Sequence, residues 1–147
     1  MAKFVFRLQS VLNLKVSLEN QQKNAFALAK RHLDEEQEKL ERLYARKELY
    51  EEEGKRLRKD ALNIRDICDN ENALERIKEF IEEQKKAVLK AEQALEEERQ
   101  KLEEMMKDRK IYERLREKAF DEFLENEKHE ENIITDERNS YVYGTQG

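Results

Sequence analysis

The sequence predicts an all-α protein, folded as a long antiparallel two-helix coiled-coil hairpin. Charged residues make up 44% of the chain, with three Gly and no Pro, a composition typical of coiled coils and long helices. Apolar residues recur in steps of three and four on both sides of one polar interruption, residues 69–72. This regular repeat favours paired helices over the disorder that high charge would otherwise indicate.

The predicted first arm covers residues 4–68 and begins between Phe4 and Leu8. Asp and Asn in residues 69–72 favour turns, and Asn72 with Glu75 has the spacing of a capping box, so we place the hinge there. The second arm is predicted over residues 73–138. Residues 139–147 lose the apolar period and are predicted to form a flexible tail, which leaves residues 1–138 as one domain.

The distribution of charge favours a hairpin over a parallel homodimer. Residues 1–31 contain six basic residues and one acidic residue, whereas residues 120–147 contain eight acidic and two basic residues. A hairpin places these oppositely charged segments side by side, although each exposed pair contributes only about 0–1 kcal/mol. A parallel homodimer with helices continuous through the hinge remains the alternative, at about twice the length of the hairpin.

Composition and motifs argue against several functions. The net charge of −5 does not favour nucleic-acid binding, and no apolar run has the length of a membrane span. Three Gly cannot build a phosphate-binding loop, and His32 and His129 are isolated, so no helical zinc site is predicted. Cys68 is the single cysteine, in agreement with a reducing cytoplasm. We therefore expect no catalytic, cofactor or metal site, and a function exerted through contacts with other proteins.

Two stretches are more apolar than a two-stranded seam needs. Residues 4–12 form either a thicker local core or a partner-binding tip, and Phe80 either covers the end of the core or is an exposed contact. Lys15, Glu19 and Gln22 occupy consecutive seam positions, which suggests a loosely packed stretch. Gly54 lies in mid-helix, where it provides either a flexible point or room for close packing.

Residues 4–12, FVFRLQSVL, followed by Glu19, resemble the start of the flagellar export protein FliJ family. Residues 107–118, KDRKIYERLREK, are similar to that family's run of basic residues followed by Glu, Leu and Glu-Lys. Asp136 and Glu137 resemble its C-terminal Asp-Glu. The likeness extends over nearly the whole chain.

The resemblance implies an antiparallel coiled coil similar to the central stalk of rotary ATPases, working in the type III export apparatus at the cytoplasmic face of the membrane. The end carrying both termini would enter the hexameric export ATPase FliI and promote ring formation. A second surface would contact the export gate protein FlhA, and the protein would also bind export chaperones.

Applied to this chain, the resemblance places the two contacts on named residues. The gate contact falls on Ile77, Phe80, Ile81 and Gln84. The predicted contact with the ATPase ring comprises residues of the N-terminal segment: Phe4, Phe6, Arg7, Leu8, Gln9, Val11 and Leu12. Alternative functions are the stalk protein of a virulence secretion system, a structural coiled-coil tether and a holdase chaperone.

Overall fold

A computed structural model describes residues 2–59 and 63–146, with side chains up to residue 142. Two helices account for most of these residues: α1, Gln9–Lys59, and α2, Ile64–Gln146. Their sequences are rich in Glu, Lys, Arg, Leu and Ala, the residues with the highest helix propensity. No Pro interrupts the backbone hydrogen bonds of either helix. The described residues contain no strand.

Cross-helix contacts show that α1 and α2 pack antiparallel. The chain divides into a terminal unit, Met1–Gln21 with Glu103–Gly147, and an inner unit, Gln22–Leu102. In the inner unit, contacts join Gln22 to Glu98 and Glu36 to Gln84, so the residue number rises in α1 as it falls in α2. In the terminal unit, Gln9 contacts Arg116 and Glu19 contacts Arg109 in the same reversed order. The predicted all-α antiparallel hairpin is confirmed.

The core follows the predicted apolar seams. Every position of the three-and-four repeat is buried or half-buried from Leu8, just before α1, to Leu57, and from Leu74 to Tyr112 in α2. In the inner unit, a central cluster comprises Leu33, Val88, Ala91, Leu40 and Leu95. A two-helix fold has only this one buried stripe per helix, and its apolar residues supply most of the stabilisation.

The predicted position of the hinge is wrong, because residues 69–72 lie inside α2. The interval between the helices is residues 60–63, of which 60–62 lie outside the described residues. Asn63 Oδ1 accepts a hydrogen bond from the backbone N–H of Arg65 at 3.1 Å, so Asn63, rather than Asn72, caps α2. Because α2 starts earlier than predicted, Ile64 and Cys68 are exposed instead of lying in the seam.

The outer limits of the helices also differ from the prediction. Residues 2–8 are not helical; the N–H of Gln9 donates to the carbonyl of Phe6 at 3.1 Å in the turn that precedes α1. The predicted loss of helix at residue 139 is not seen, because α2 continues to Gln146. Positions 126, 130 and 133, the last of the repeat in the second arm, are exposed, since α1 begins only at Gln9 and the residues described before it are not helical.

Two Gln–Glu pairs cross the seam of the inner unit. Gln22 Nε2 donates to the backbone carbonyl of Glu98 at 3.0 Å and also to its carboxylate. Gln84 Nε2 donates to the carbonyl of Glu36 at 2.9 Å and to its Oε2 at 2.5 Å. The hydrogen bond from Gln84, assisted by Lys39, lowers the pKa of Glu36 despite its burial. The buried polar groups of these two pairs are thus hydrogen-bonded across the helices.

In the terminal unit, the polar seam residues also have partners on α2. Glu19, only 3% exposed, is paired with Arg109, which also bonds Glu113 Oε1 at 2.8 Å. These hydrogen bonds, to Glu113 and Glu19, raise the pKa of Arg109. Lys15 Nζ lies 3.4 Å from Asp108 Oδ2 and 5.8 Å from the centre of the Tyr112 ring. Instead of the loose stretch expected here, charged and polar contacts join the helices.

Gly54 allows the close approach of a buried asparagine. Asn70, 7% exposed, donates from Nδ2 to the carbonyl of Tyr50 at 2.9 Å. A Cβ atom at position 54 would lie 2.5 Å from Asn70 Oδ1, much closer than such atoms can pack. The second interpretation of Gly54, room for close packing, therefore fits the structure.

We expect Gly54→Ala to destabilise the protein by about 1–3 kcal/mol, because the new methyl group overlaps Asn70. In an Asn70→Ala background the same substitution should instead stabilise it by about 1 kcal/mol through helix propensity. Urea unfolding followed by circular dichroism measures both changes. A Gly54→Ala effect of the same sign in both backgrounds would contradict the proposed packing.

We expect Glu36→Gln to weaken the dependence of the protein's stability on pH in the acidic range. The folded-state pKa of Glu36 lies below its ordinary value of 4.5, so its contribution is present above that value and is lost as pH falls through the lower one. The melting temperature of the unmodified protein should therefore fall further than that of Glu36→Gln between about pH 6 and about pH 3. Glu35→Gln, at the exposed neighbouring position, should follow the unmodified protein.

Candidate protein-binding surfaces

The N-terminal segment is attached to α2 by aromatic contacts. The ring of Phe4 packs edge-on against Phe120, with centroids 5.2 Å apart and planes at 76°, and lies 5.5 Å from Phe123. The guanidinium carbon of Arg116 lies 5.5 Å from the centre of the Phe4 ring. Arg116 Nε also donates to Gln9 Oε1 at 2.9 Å. Residues 4–8 are therefore held in place although they precede α1.

A groove lies between this segment and α2. It has a volume of about 680 Å³ and is lined by residues 4–8 on one side and by α2 residues between Leu115 and Asn126 on the other. Its walls combine apolar side chains with the charged groups of Arg7, Lys118 and Glu122. A groove that combines apolar and charged side chains in this way is suited to bind a protein segment.

The predicted ring-contact residues do not share one environment. Phe6 and Leu12 belong to the core of the terminal unit, with 8% and 6% exposure. Arg7 is exposed. Val5, two residues earlier, is 78% exposed and is not among the predicted contacts. The remaining members are half-buried: Phe4, Leu8, Gln9 and Val11.

The predicted gate-contact residues are divided in the same way by their position on α2. Ile77 and Ile81 are both 4% exposed and form part of the inner core. Gln84 is half-buried and engaged with Glu36. Phe80 is 54% exposed, so it is the member of this set with a largely accessible side chain. Close by in sequence, a hydrogen bond to Glu82 at 3.2 Å raises the pKa of Lys85.

Sequence reasoning did not identify the α2 side of the groove as a site. The signal was present in the recurrence of apolar residues on more than one face of α2 between Leu115 and Phe123. A seam alone needs one such face, so the surplus marks contacts with the non-helical segment. Val5 continues the three-and-four repeat of the first arm in the sequence, whereas in the structure it precedes α1.

Two further properties concern the described residues as a whole. No three His, Cys, Asp or Glu side chains among them come together in an arrangement suited to a metal ion. Neither helix contains, over the same residues, an apolar stretch with the length and hydropathy of a bilayer crossing.

Comparison with known proteins identifies the family. The model of the family described as "Flagellar FliJ protein" matches residues 4–147. No curated protein and no solved structure matches the chain. The family match covers both helices and the N-terminal segment that forms the groove. The chain belongs to the flagellar FliJ family and is a component of the flagellar export apparatus.

Proposed function

We propose that this protein inserts its terminal unit into the ring of the hexameric export ATPase FliI and promotes assembly and activity of that ring. It also contacts the export gate protein FlhA and escorts export chaperones. It acts without catalysis of its own, at the inner face of the cell membrane.

The exposed part of the N-terminal segment is the observation that carries the ring contact. Phe4 packs on α2 and Phe6 is buried, while the neighbouring Val5 and Arg7 are exposed. Alternation of anchored and exposed side chains is expected for an extended segment. A fixed, partly apolar edge next to a positive charge is a suitable contact for a ring, because little entropy is lost on binding.

Phe80 carries the proposed gate contact. Its neighbours Ile77 and Ile81 hold α2 on α1, so the aromatic ring is presented from a fixed helix face. Exposed aromatic residues on rigid elements commonly dominate the free energy of protein–protein binding. Ile77, Ile81 and Gln84 support this contact indirectly, by fixing the position of Phe80.

Arg7→Glu tests the ring contact. The substitution reverses the charge of an exposed side chain in the proposed interface, so we expect the apparent affinity for the ATPase to fall about tenfold or more. The measurement is ATP hydrolysis by the cognate ATPase over a concentration series of this protein. Arg46→Glu, at an exposed position of α1 in the inner unit, is the matched control and should stimulate normally.

Phe80→Ala tests the gate contact separately. Removal of the exposed ring should weaken binding to the cytoplasmic part of the gate protein about tenfold, with unchanged helix content. Leu89→Ala is the matched control, since Leu89 lies on the same helix and is also 54% exposed. Equal affinities of the two variants in a titration would contradict the assignment to Phe80.

A further inference from the structure

The paired parts of α1 and α2 in the inner unit repeat one another. Residues 22–40 and 84–102 share the same residue at nine of nineteen positions, with a constant offset of 62. Five of the identical pairs lie in the seam and four beside it: Gln22 and Gln84, Ala29 and Ala91, Leu33 and Leu95, Glu36 and Glu98, Leu40 and Leu102; Lys23 and Lys85, Ala25 and Ala87, Glu35 and Glu97, Lys39 and Lys101.

The hydrogen bonds follow the same repeat. Each helix carries a seam Gln and, fourteen residues later, a Glu. The Gln of α1 bonds the Glu of α2, and the Gln of α2 bonds the Glu of α1, each to both the carbonyl and the carboxylate. Ala29 and Ala91 lie at the midpoints of these intervals. The inner unit therefore has a local two-fold relation between its helices.

Each helix is consequently complementary to itself. If α1 is placed antiparallel to a second α1 about Ala29, Gln22 of each copy meets Glu36 of the other, and Leu33 meets Phe26. The same operation on α2 brings Gln84 to Glu98 and Leu95 to Val88. A two-fold dimer interface of this kind uses only the seam residues that pair α1 with α2 in the hairpin.

We propose that the inner-unit helices pair with their counterparts in a second copy of this chain, α1 with α1 and α2 with α2, through the same Gln–Glu bonds. The intrachain hairpin and the exchanged dimer then contain seam layers of the same chemistry. They differ mainly in the tether, which gives the intrachain partner an effective concentration on the order of 1 mM. The dimer therefore forms when the chains fold together at a protein concentration that approaches this effective concentration.

Two charge variants of the full chain separate the two arrangements. In Gln22→Lys/Glu36→Lys/Gln84→Glu, each bonded pair of the hairpin joins opposite charges, while α1–α1 and α2–α2 pairing opposes like charges. In Gln22→Lys/Gln84→Lys, opposite charges meet in both arrangements. Both variants change the formal net charge of −5 by the same amount, so general repulsion is matched.

The chains are refolded from urea at about 0.01 to 1 mM, and dimer content is measured by light scattering. For the unmodified chain and the double variant, we expect the proportion of dimer to increase as the protein concentration increases. The triple variant should give at least about tenfold less dimer, with equal helix content. A short thiol-specific cross-linker should join two Ala29→Cys/Cys68→Ser chains, and should join chains with Cys at the exposed position 27 far less.

Three results would overturn the proposal. One is equal dimer content of the double and triple variants, which would indicate exchange of α1 with the α2 of another chain. The second is absence of dimers of the unmodified chain at the highest concentration. The third is equal cross-linking at positions 27 and 29. None of these results bears on stimulation of the ATPase, which is measured with the monomer at low concentration.

Discussion

The pairing of polar seam residues across the two helices is the constraint on which the structure depends. Apolar seam contacts alone tolerate a shift of one helix by a heptad, because Leu, Ala and Val at equivalent positions are interchangeable. Gln22 with Glu98 and Gln84 with Glu36 do not allow this, since a shift would leave buried polar groups without partners. The Glu19–Arg109 pair acts in the same way in the terminal unit. The few polar residues of the seam thus determine the register in which α1 and α2 pair.

The sequence predicts the seams and their antiparallel pairing well and the register of that pairing poorly, for different physical reasons. Helix periodicity is a local property, so counting in threes and fours finds Leu33, Val88 and the polar Gln22 alike. The register depends on contacts between residues far apart in sequence, such as Tyr50 with Asn70. The polar character of residues 69–72 suggested a turn, but Asn70 obtains its hydrogen bond from the opposite helix and the other three face solvent. A tertiary contact therefore overrides the local preference.

The internal repeat is visible in the sequence, but the sequence alone does not indicate that it has structural meaning. In a chain that is 44% charged, matches of Glu with Glu and Lys with Lys arise readily between any two helices. What gives the repeat meaning is that Ala29 and Ala91 lie between the two reciprocal Gln–Glu bonds. The reciprocal Gln–Glu contacts form only if both helices carry Gln, Ala and Glu in the same order and at the same spacing. Two helices of similar composition do not need to meet that condition. The structure thus distinguishes a repeat from a resemblance of composition.

The burial of the candidate contact residues limits how partners can be recognised. In a two-helix fold, a side chain in the seam is buried against the opposite helix and is not accessible to a partner. Ile77, Ile81 and Leu12 are buried in this way. Replacing them would perturb the hairpin itself, so a loss of binding would not identify an interface. Arg7 and Phe80 lie outside the core, and their removal leaves the seam intact. A partner surface on such a protein must therefore consist of residues off the seam, and the neighbouring core residues contribute by fixing where those side chains are presented.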